Sequence, residues 1–289
     1  LRFPVVQTIH NYRLICASGD LLLRGAHCEL CPSHGSHHAV RNRCYRSSLA
    51  ATIPLALSTT PWQQQRYLAG RSALVFPSDV ARATISRLMT DSDATRQFVV
   101  PNFVGNKIAL SHGQFRASDP PRDRYWVFSG RLEKAKGIHQ LIAHWPAHER
   151  LVILGSGPLE PELKESFRGK NLDFWGNLKR DDVLFALKNS FGLVFPSLAM
   201  ETAASMSYLE AISLGKPVLA LAGSVVAHDV VSGRTGAVFQ DFKNIEKPMN
   251  TIARNYETLS KNCIRRAVSE FSEPTWLDRM SKVYREVRV

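Results

Sequence analysis

The chain of 289 residues carries 37 Lys and Arg against 25 Asp and Glu, a formal charge of +12, with 44% hydrophobic and 21% charged residues. This is globular rather than disordered composition, its length suits two domains, and no run of 18 apolar residues is present to span a bilayer as a helix. The charge favours anionic partners. Lys and Arg are nevertheless spread along the sequence without an aromatic-interleaved basic block, which argues against nucleic acid and for phosphorylated substrates or an anionic membrane surface.

In chain order, Leu1-Arg2-Phe3-Pro4 shows no charged-then-apolar leader. Val5 to Ile9 reads as a strand ending at His10. Residues 16–45 are rich in Cys, Gly and His and read as an irregular insertion. Four of the five cysteines lie there: Cys16, Cys28, Cys31 and Cys44. A Cys-x2-Cys with two outlying cysteines is one pattern for a structural zinc, with His27, His34, His37 and His38 as alternative ligands; free thiols are the other reading. Ser47 to about Tyr67 is helix-like, interrupted by Pro54 and Pro61. Ala73 to Phe76 is a short apolar strand, and Ser78 or Asp79 caps a helix through Met89. Phe98 to Val100 is the last strand of this half, and the loop-rich stretch with Pro120-Pro121 marks a junction.

From Tyr125 the alternation is regular. Strands 125–129, 151–154, 172–175 and 191–195 are each followed by a helix, and strands 218–221 and 236–239 precede helices to the end. That pattern predicts an α/β fold with a parallel, doubly wound sheet. The expected division is a partial Rossmann-like domain at 1–105, a linker at 106–124, a complete Rossmann-like domain at 125–270, and a helix at 271–289 packing back on the first domain.

Three stretches of the second half carry chemistry. Ser129-Gly130-Arg131-Leu132-Glu133-Lys134-Ala135-Lys136-Gly137 ends a strand and opens a helix, so Arg131 and Lys136 stand near free N–H groups that favour an anion. Leu154-Gly155-Ser156-Gly157-Pro158 is a second tight strand-to-helix turn, followed downstream by Phe174-Trp175-Gly176-Asn177-Leu178. Phe195-Pro196-Ser197 leads to Glu201 on a loop and Glu210 on a helix that Gly215 and Pro217 stop. Paired carboxylates also suit a glycosidase. Glu210 lies well inside a helix, however, with no reason to face a sugar opposite Glu201.

These stretches resemble the retaining GT-B glycosyltransferases of the family-4 (group 1) type, and the resemblance extends over nearly the whole chain. It implies two Rossmann-like domains facing across a cleft, and metal-independent transfer of a hexose from a nucleotide-diphosphate-sugar donor with retained configuration. By the same resemblance Gly130, Arg131 and Lys136 meet the diphosphate, and Gly155 and Gly157 shape the nucleotide side. Asn177 and Leu178 lie in the segment whose backbone reads the base. Glu201 contacts the donor sugar and Glu210 the ribose. The loop amides of Thr202, Ala203, Ala204 and Ser205 receive donor phosphate at a helix N-terminus. His10, in Thr8-Ile9-His10, resembles the strand-ending histidine beside the reacting sugar. The family spacing is Glu-x7-Glu; counting back eight from Glu210 lands on Thr202, and Glu201 lies nine back, so one extra residue is expected between them. The cysteine stretch resembles a subgroup with such an insertion.

The resemblance further implies a cytoplasmic enzyme of polysaccharide biosynthesis, at the inner face of the cell membrane, acting on a glycan or lipid-linked acceptor. No Gly-rich first loop precedes Val5, so the chain is expected to lack the first part of its N-terminal domain. Two alternatives remain open: a donor-binding fragment that does not transfer, and a zinc-stabilised protein without enzymatic activity that docks on a membrane or partner.

Overall fold

The structure, a computed structural model, describes residues 3–89, 95–105 and 124–287. The expected linker lies outside the described residues except for Arg124. By its internal contacts the chain divides into one unit of Leu1–Asn102, Ala199–Ala204 and Trp276–Val289, and another of Phe103–Leu198 and Ser205–Thr275.

The first unit runs through strand β1 (Val6–Thr8), strands β2 (Leu22–Leu23) and β3 (Ala26–His27), and helices α1 (Leu30–His34), α2 (His37–Asn42), α3 (Leu49–Ser58) and α4 (Pro61–Ala69). Strand β4 (Ala73–Phe76), helix α5 (Asp79–Leu88) and strand β5 (Arg96–Val99) follow. Strands β1, β4 and β5 form a parallel sheet with β4 in the middle. All four β4 residues are buried, which is why the run is continuously apolar. Alternate side chains serve two cores. Leu74 and Phe76 pack with Ile9, Tyr12, Leu68 and Ile85, while Ala73 and Val75 pack with Val100, Met280, Val283 and Val287. The second face is therefore closed by the helix Glu273–Val287.

Two expectations for this unit need correction. Residues 16–45 are not simply irregular: β2 and β3 pair as a hairpin, and α1 and α2 follow. Its two-residue loop has Arg24 at φ 52° and Gly25 at φ 85°, the double positive-φ geometry that suits tight hairpins. Pro54 does not break α3, which runs through it from the Ser48 cap to Ser58. Pro54 is exposed, so the carbonyl it leaves unbonded faces water. Pro61, at the first turn of α4, sits where a proline costs nothing.

The second unit contains β6 (Tyr125–Ser129), β7 (Arg150–Leu154), β8 (Leu172–Gly176), β9 (Gly192–Phe195), β10 (Val218–Leu221) and β11 (Gly236–Phe239). All six pair in parallel in the order β11-β10-β9-β6-β7-β8. Its core is built on Trp126, Phe128, Leu151, Ile153, Phe191 and Val194, with the Trp126 and Phe191 rings edge to face at 5.0 Å. The strand order reverses between β6 and β9. In such sheets a crevice opens at the carboxyl ends of the two strands on either side of the reversal.

Candidate functional site

The loops leaving β6 and β9 border that crevice. It is a cleft of about 420 Å3 lined by Gly130, Lys136, Leu178, Arg180, Ser205 and Glu210, among others. A shallower hollow of about 570 Å3 adjoins it, lined by Gly130, Arg131, Gly155, Gly157, Asn177 and Leu178.

The loop after β6 is locked onto the turn after β7. Gly130 N–H donates to the Leu154 carbonyl at 3.0 Å, Leu132 N–H to the Ser156 carbonyl at 3.0 Å, and Leu159 N–H back to the Leu132 carbonyl at 3.1 Å. Two glycines make this approach possible. A Cβ on Gly155 would fall on the Gly130 carbonyl, and one on Gly157 would meet the Leu132 backbone. The short Lys134–Lys136 turn is fixed from the other side, where Leu198 N–H donates to the Ala135 carbonyl at 2.9 Å. Gly137, at φ 67°, closes against the Pro196 carbonyl. The result holds Arg131 and Lys136 on rigid backbone. Arg131 is largely exposed, with Nε 3.6 Å from Glu133 Oε2.

The helix Met206–Ser213 begins at the cleft. Ser205 caps it, its Oγ accepting from Tyr208 N–H at 3.2 Å. Three of its first N–H groups and the positive end of its dipole therefore face a site that suits an anion. Glu210, one turn further in, is 8% exposed and lies 3.3 Å from Arg180 Nη2 through its Oε1. Burial pushes the Glu210 carboxyl up, and Arg180 partly opposes that shift. Tyr208, in the same helix, is anchored below: its hydroxyl donates to the Asp229 carboxylate, which also pairs with Arg266.

The remaining residues named from the sequence collect in the first unit. Glu201, Thr202, Ala203 and Ala204 group there, although the chain on both sides of them belongs to the second unit. Thr202 Oγ1 donates to the His10 carbonyl at 2.8 Å, Ser78 Oγ donates to the Thr202 carbonyl at 2.7 Å, and the Tyr12 hydroxyl reaches the Glu201 carbonyl at 3.3 Å. His10 and the Glu201-Thr202 step thus form one hydrogen-bonded cluster. Beside His10 lies a cleft of about 670 Å3 whose cations are Arg13, Arg66 and Arg71. No carboxylate lines it, and none pairs with these three arginines among the described residues.

The zinc set is not formed. Among the described residues no three of His, Cys, Asp and Glu come together to hold a metal, and all five cysteines are free thiols. Cys16 is buried in the core around Tyr12 and Leu21, with Sγ 3.2 Å from Ser18 Oγ, whereas Cys31 and Cys44 pack against Ala17, Ala39 and Ala56. Burial, with like charge from the neighbouring cysteines, pushes the Cys31 thiol up to about 11 and raises the Cys44 thiol as well.

One residue and one contact escaped the sequence reading. Arg180 reaches Glu210, and its signal was a basic pair, Lys179-Arg180, opening the helix just after Asn177-Leu178. Thr202 ties to His10 across 192 positions, for which local sequence carries no sign.

The family model for glycosyl transferases group 1 matches residues 114–268, over half of the chain. D-rhamnosyltransferase WbpZ of Pseudomonas aeruginosa is 32% identical over 120 residues, which is 40% of this chain and 32% of that protein. O-antigen chain mannosyltransferase C of Escherichia coli is 27% identical over 238 residues, 76% of this chain and 62% of that protein. The chain therefore spans less than two thirds of either relative. Anabaena HepE, solved in complex with UDP-glucose, shares the fold with a TM-score of 0.66 at 17% identity, over 99% of this chain and 73% of that one. The parallel α/β architecture, the GT-B likeness and the family match lead to one assignment: the chain belongs to the glycosyl transferases group 1.

Proposed function

We propose that this chain binds a nucleotide-diphosphate-sugar in the cleft between β6 and β9 and transfers its hexose, with retained configuration, to a glycan or lipid-linked acceptor. The observation that carries the reading is convergence. The Arg131/Lys136 loop, the N-terminus of helix Met206–Ser213 and the buried Glu210 border one cleft at the sheet switch point. Names of relatives support it: two are sugar transferases, and HepE was solved with UDP-glucose.

In this mechanism Arg131 and Lys136 stabilise charge building on the leaving diphosphate, as groups already in place before reaction. Glu210 orients the ribose, while His10 and Glu201 position the donor sugar. The departing phosphate oxygen takes the acceptor proton on the face it leaves, so no protein base is needed. The arginine-lined cleft beside His10 suits an acceptor that carries phosphate. Such an acceptor fits a peripheral enzyme at the cytoplasmic face of a membrane.

The test is UDP binding by calorimetry, together with sugar transfer to a lipid diphosphate acceptor. Arg131→Ala weakens UDP binding by about tenfold to a hundredfold, the range for losing a charge-assisted hydrogen bond. Unchanged affinity in that variant rejects the assignment. A second reading, donor binding without transfer, predicts normal UDP affinity and no turnover.

A further inference from the structure

Helix α3 turns an apolar face to solvent. Leu49, Ile53 and Leu57 recur every fourth residue and are 47%, 41% and 60% exposed, and Trp62 in the first turn of α4 is 60% exposed. The opposite face, Thr52 and Ala56, is the buried one. A surface helix normally presents polar residues outward, so this arrangement is inverted. Scattered exposed apolar residues are ordinary, but four in one helical hairpin form a patch.

The charges around it have one sign. Arg41, Arg43 and Arg46 are exposed just before α3, and Arg66 is exposed one turn beyond Trp62 with its guanidinium carbon 5.2 Å from the indole centroid. Between Glu29 and Asp79 the sequence holds no Asp or Glu at all. Of the two carboxylates that border this stretch, Glu29 is paired with Arg87 and Asp79 with Arg82.

We propose that α3 and the start of α4 form a docking surface for an anionic lipid bilayer. Leu49, Ile53, Leu57 and Trp62 enter the boundary between headgroups and acyl chains, and the arginines meet lipid phosphates. Charge complementarity selects the bilayer over a second copy of this chain. Two such faces brought together would oppose arginine to arginine with no carboxylate on either side. The surface also meets the arginine-lined cleft, since Ser58, Gln63 and Arg66 belong to that cleft's wall. Docking then holds the cleft mouth at headgroup depth, where a lipid-linked phosphate lies. This last point rests on the transferase reading; the docking surface itself does not.

Vesicle flotation with the full chain tests the proposal. Binding is expected to phosphatidylglycerol–phosphatidylcholine vesicles, falling about tenfold or more with phosphatidylcholine alone or in high salt. Leu57→Glu combined with Trp62→Glu is expected to lower binding to the anionic vesicles at least about tenfold, with UDP affinity in the other unit unchanged as the check on folding. Arg41, Arg43 and Arg46 changed together to Gln should remove most of the preference for anionic lipid. The proposal is overturned if the wild type ignores anionic vesicles, or if the double variant binds them equally. It is overturned too if the double variant instead abolishes a dimer seen by sedimentation. Normal UDP binding with no flotation sinks the docking surface alone, whereas flotation without UDP binding sinks the donor site alone.

Discussion

Gly155→Ala probes the scaffold of the donor cleft more directly than removing a charge, because the glycine itself touches no ligand in the proposed mechanism. Gly155 has φ 124°, outside the region an alanine adopts comfortably, and its Cβ would land on the Gly130 carbonyl. The conformational cost alone is about 1–3 kcal/mol. Displacing the Gly130 backbone adds about 1–3 kcal/mol, the cost of forcing atoms into a packed site. Together they come to about 2–6 kcal/mol, and at about 2–4 °C per kcal/mol the second unit should melt roughly 5–20 °C lower. Gly169→Ala supplies the control: its φ is 91°, but nothing lies within 4 Å of the added methyl. It should show the conformational cost without the collision. Because the displaced carbonyl belongs to the loop carrying Arg131 and Lys136, UDP affinity should also drop in Gly155→Ala and not in Gly169→Ala. Differential scanning fluorimetry and calorimetry read both effects. If the two variants melt alike and bind UDP alike, the interlock between the two turns is not what shapes the cleft.

Two further outcomes follow from buried polar groups. Lys216 is 7% exposed, and burial, with Lys188 adding like charge, pushes its ammonium down to about 8. The folded state therefore binds fewer protons than the unfolded state between about pH 8 and the ordinary lysine range, so stability from this group rises with pH across that window. Lys216→Met should be more stable than the wild type at pH 7 by up to about 3 kcal/mol, with the gap closing by pH 10; a gap that stays constant in denaturant titrations refutes the shift. Thr202→Val keeps shape but leaves the His10 carbonyl without its 2.8 Å partner, at a cost of about 1–2 kcal/mol. In transfer assays it should lower turnover more than UDP affinity, and equal losses in both would show that the Thr202 hydrogen bond does not serve His10 in positioning the sugar.

The second unit was legible because its signals are local. Most strands are apolar runs, most turns carry a glycine or capping serine, and strands Tyr125–Ser129, Val218–Leu221 and Gly236–Phe239 fall where the pattern puts them. Even Gly155 and Gly157 were readable as a tight turn, although not as the partners of Gly130 and Leu132. The first unit was harder. Pro54 marks a helix break by rule, yet exposure relieves the lost bond and α3 continues. Cys28-x2-Cys31 has metal-ligand spacing, but Cys16 packs in the core around Tyr12 while Cys31 and Cys44 pack beside Ala39 and Ala56. Long-range polar contacts such as Thr202 to His10, and Arg180 to Glu210, depend on tertiary placement that no spacing rule encodes.

One feature of the first unit bears on how the chain is made. The face of its sheet formed by Ala73, Val75 and Val100 is covered by Met280, Val283 and Val287, from the last helix described. Everything between Phe103 and Thr275 that builds the second unit is synthesised in the interval. At bacterial or eukaryotic elongation rates that interval is roughly 10–40 s, long compared with the folding of a small domain. The later unit thus finishes first on the ribosome, while the earlier sheet waits with an apolar face uncovered. A premature stop at 276, which removes residues Trp276–Val289, would leave that face permanently open, so a loss late in the chain makes its beginning fail.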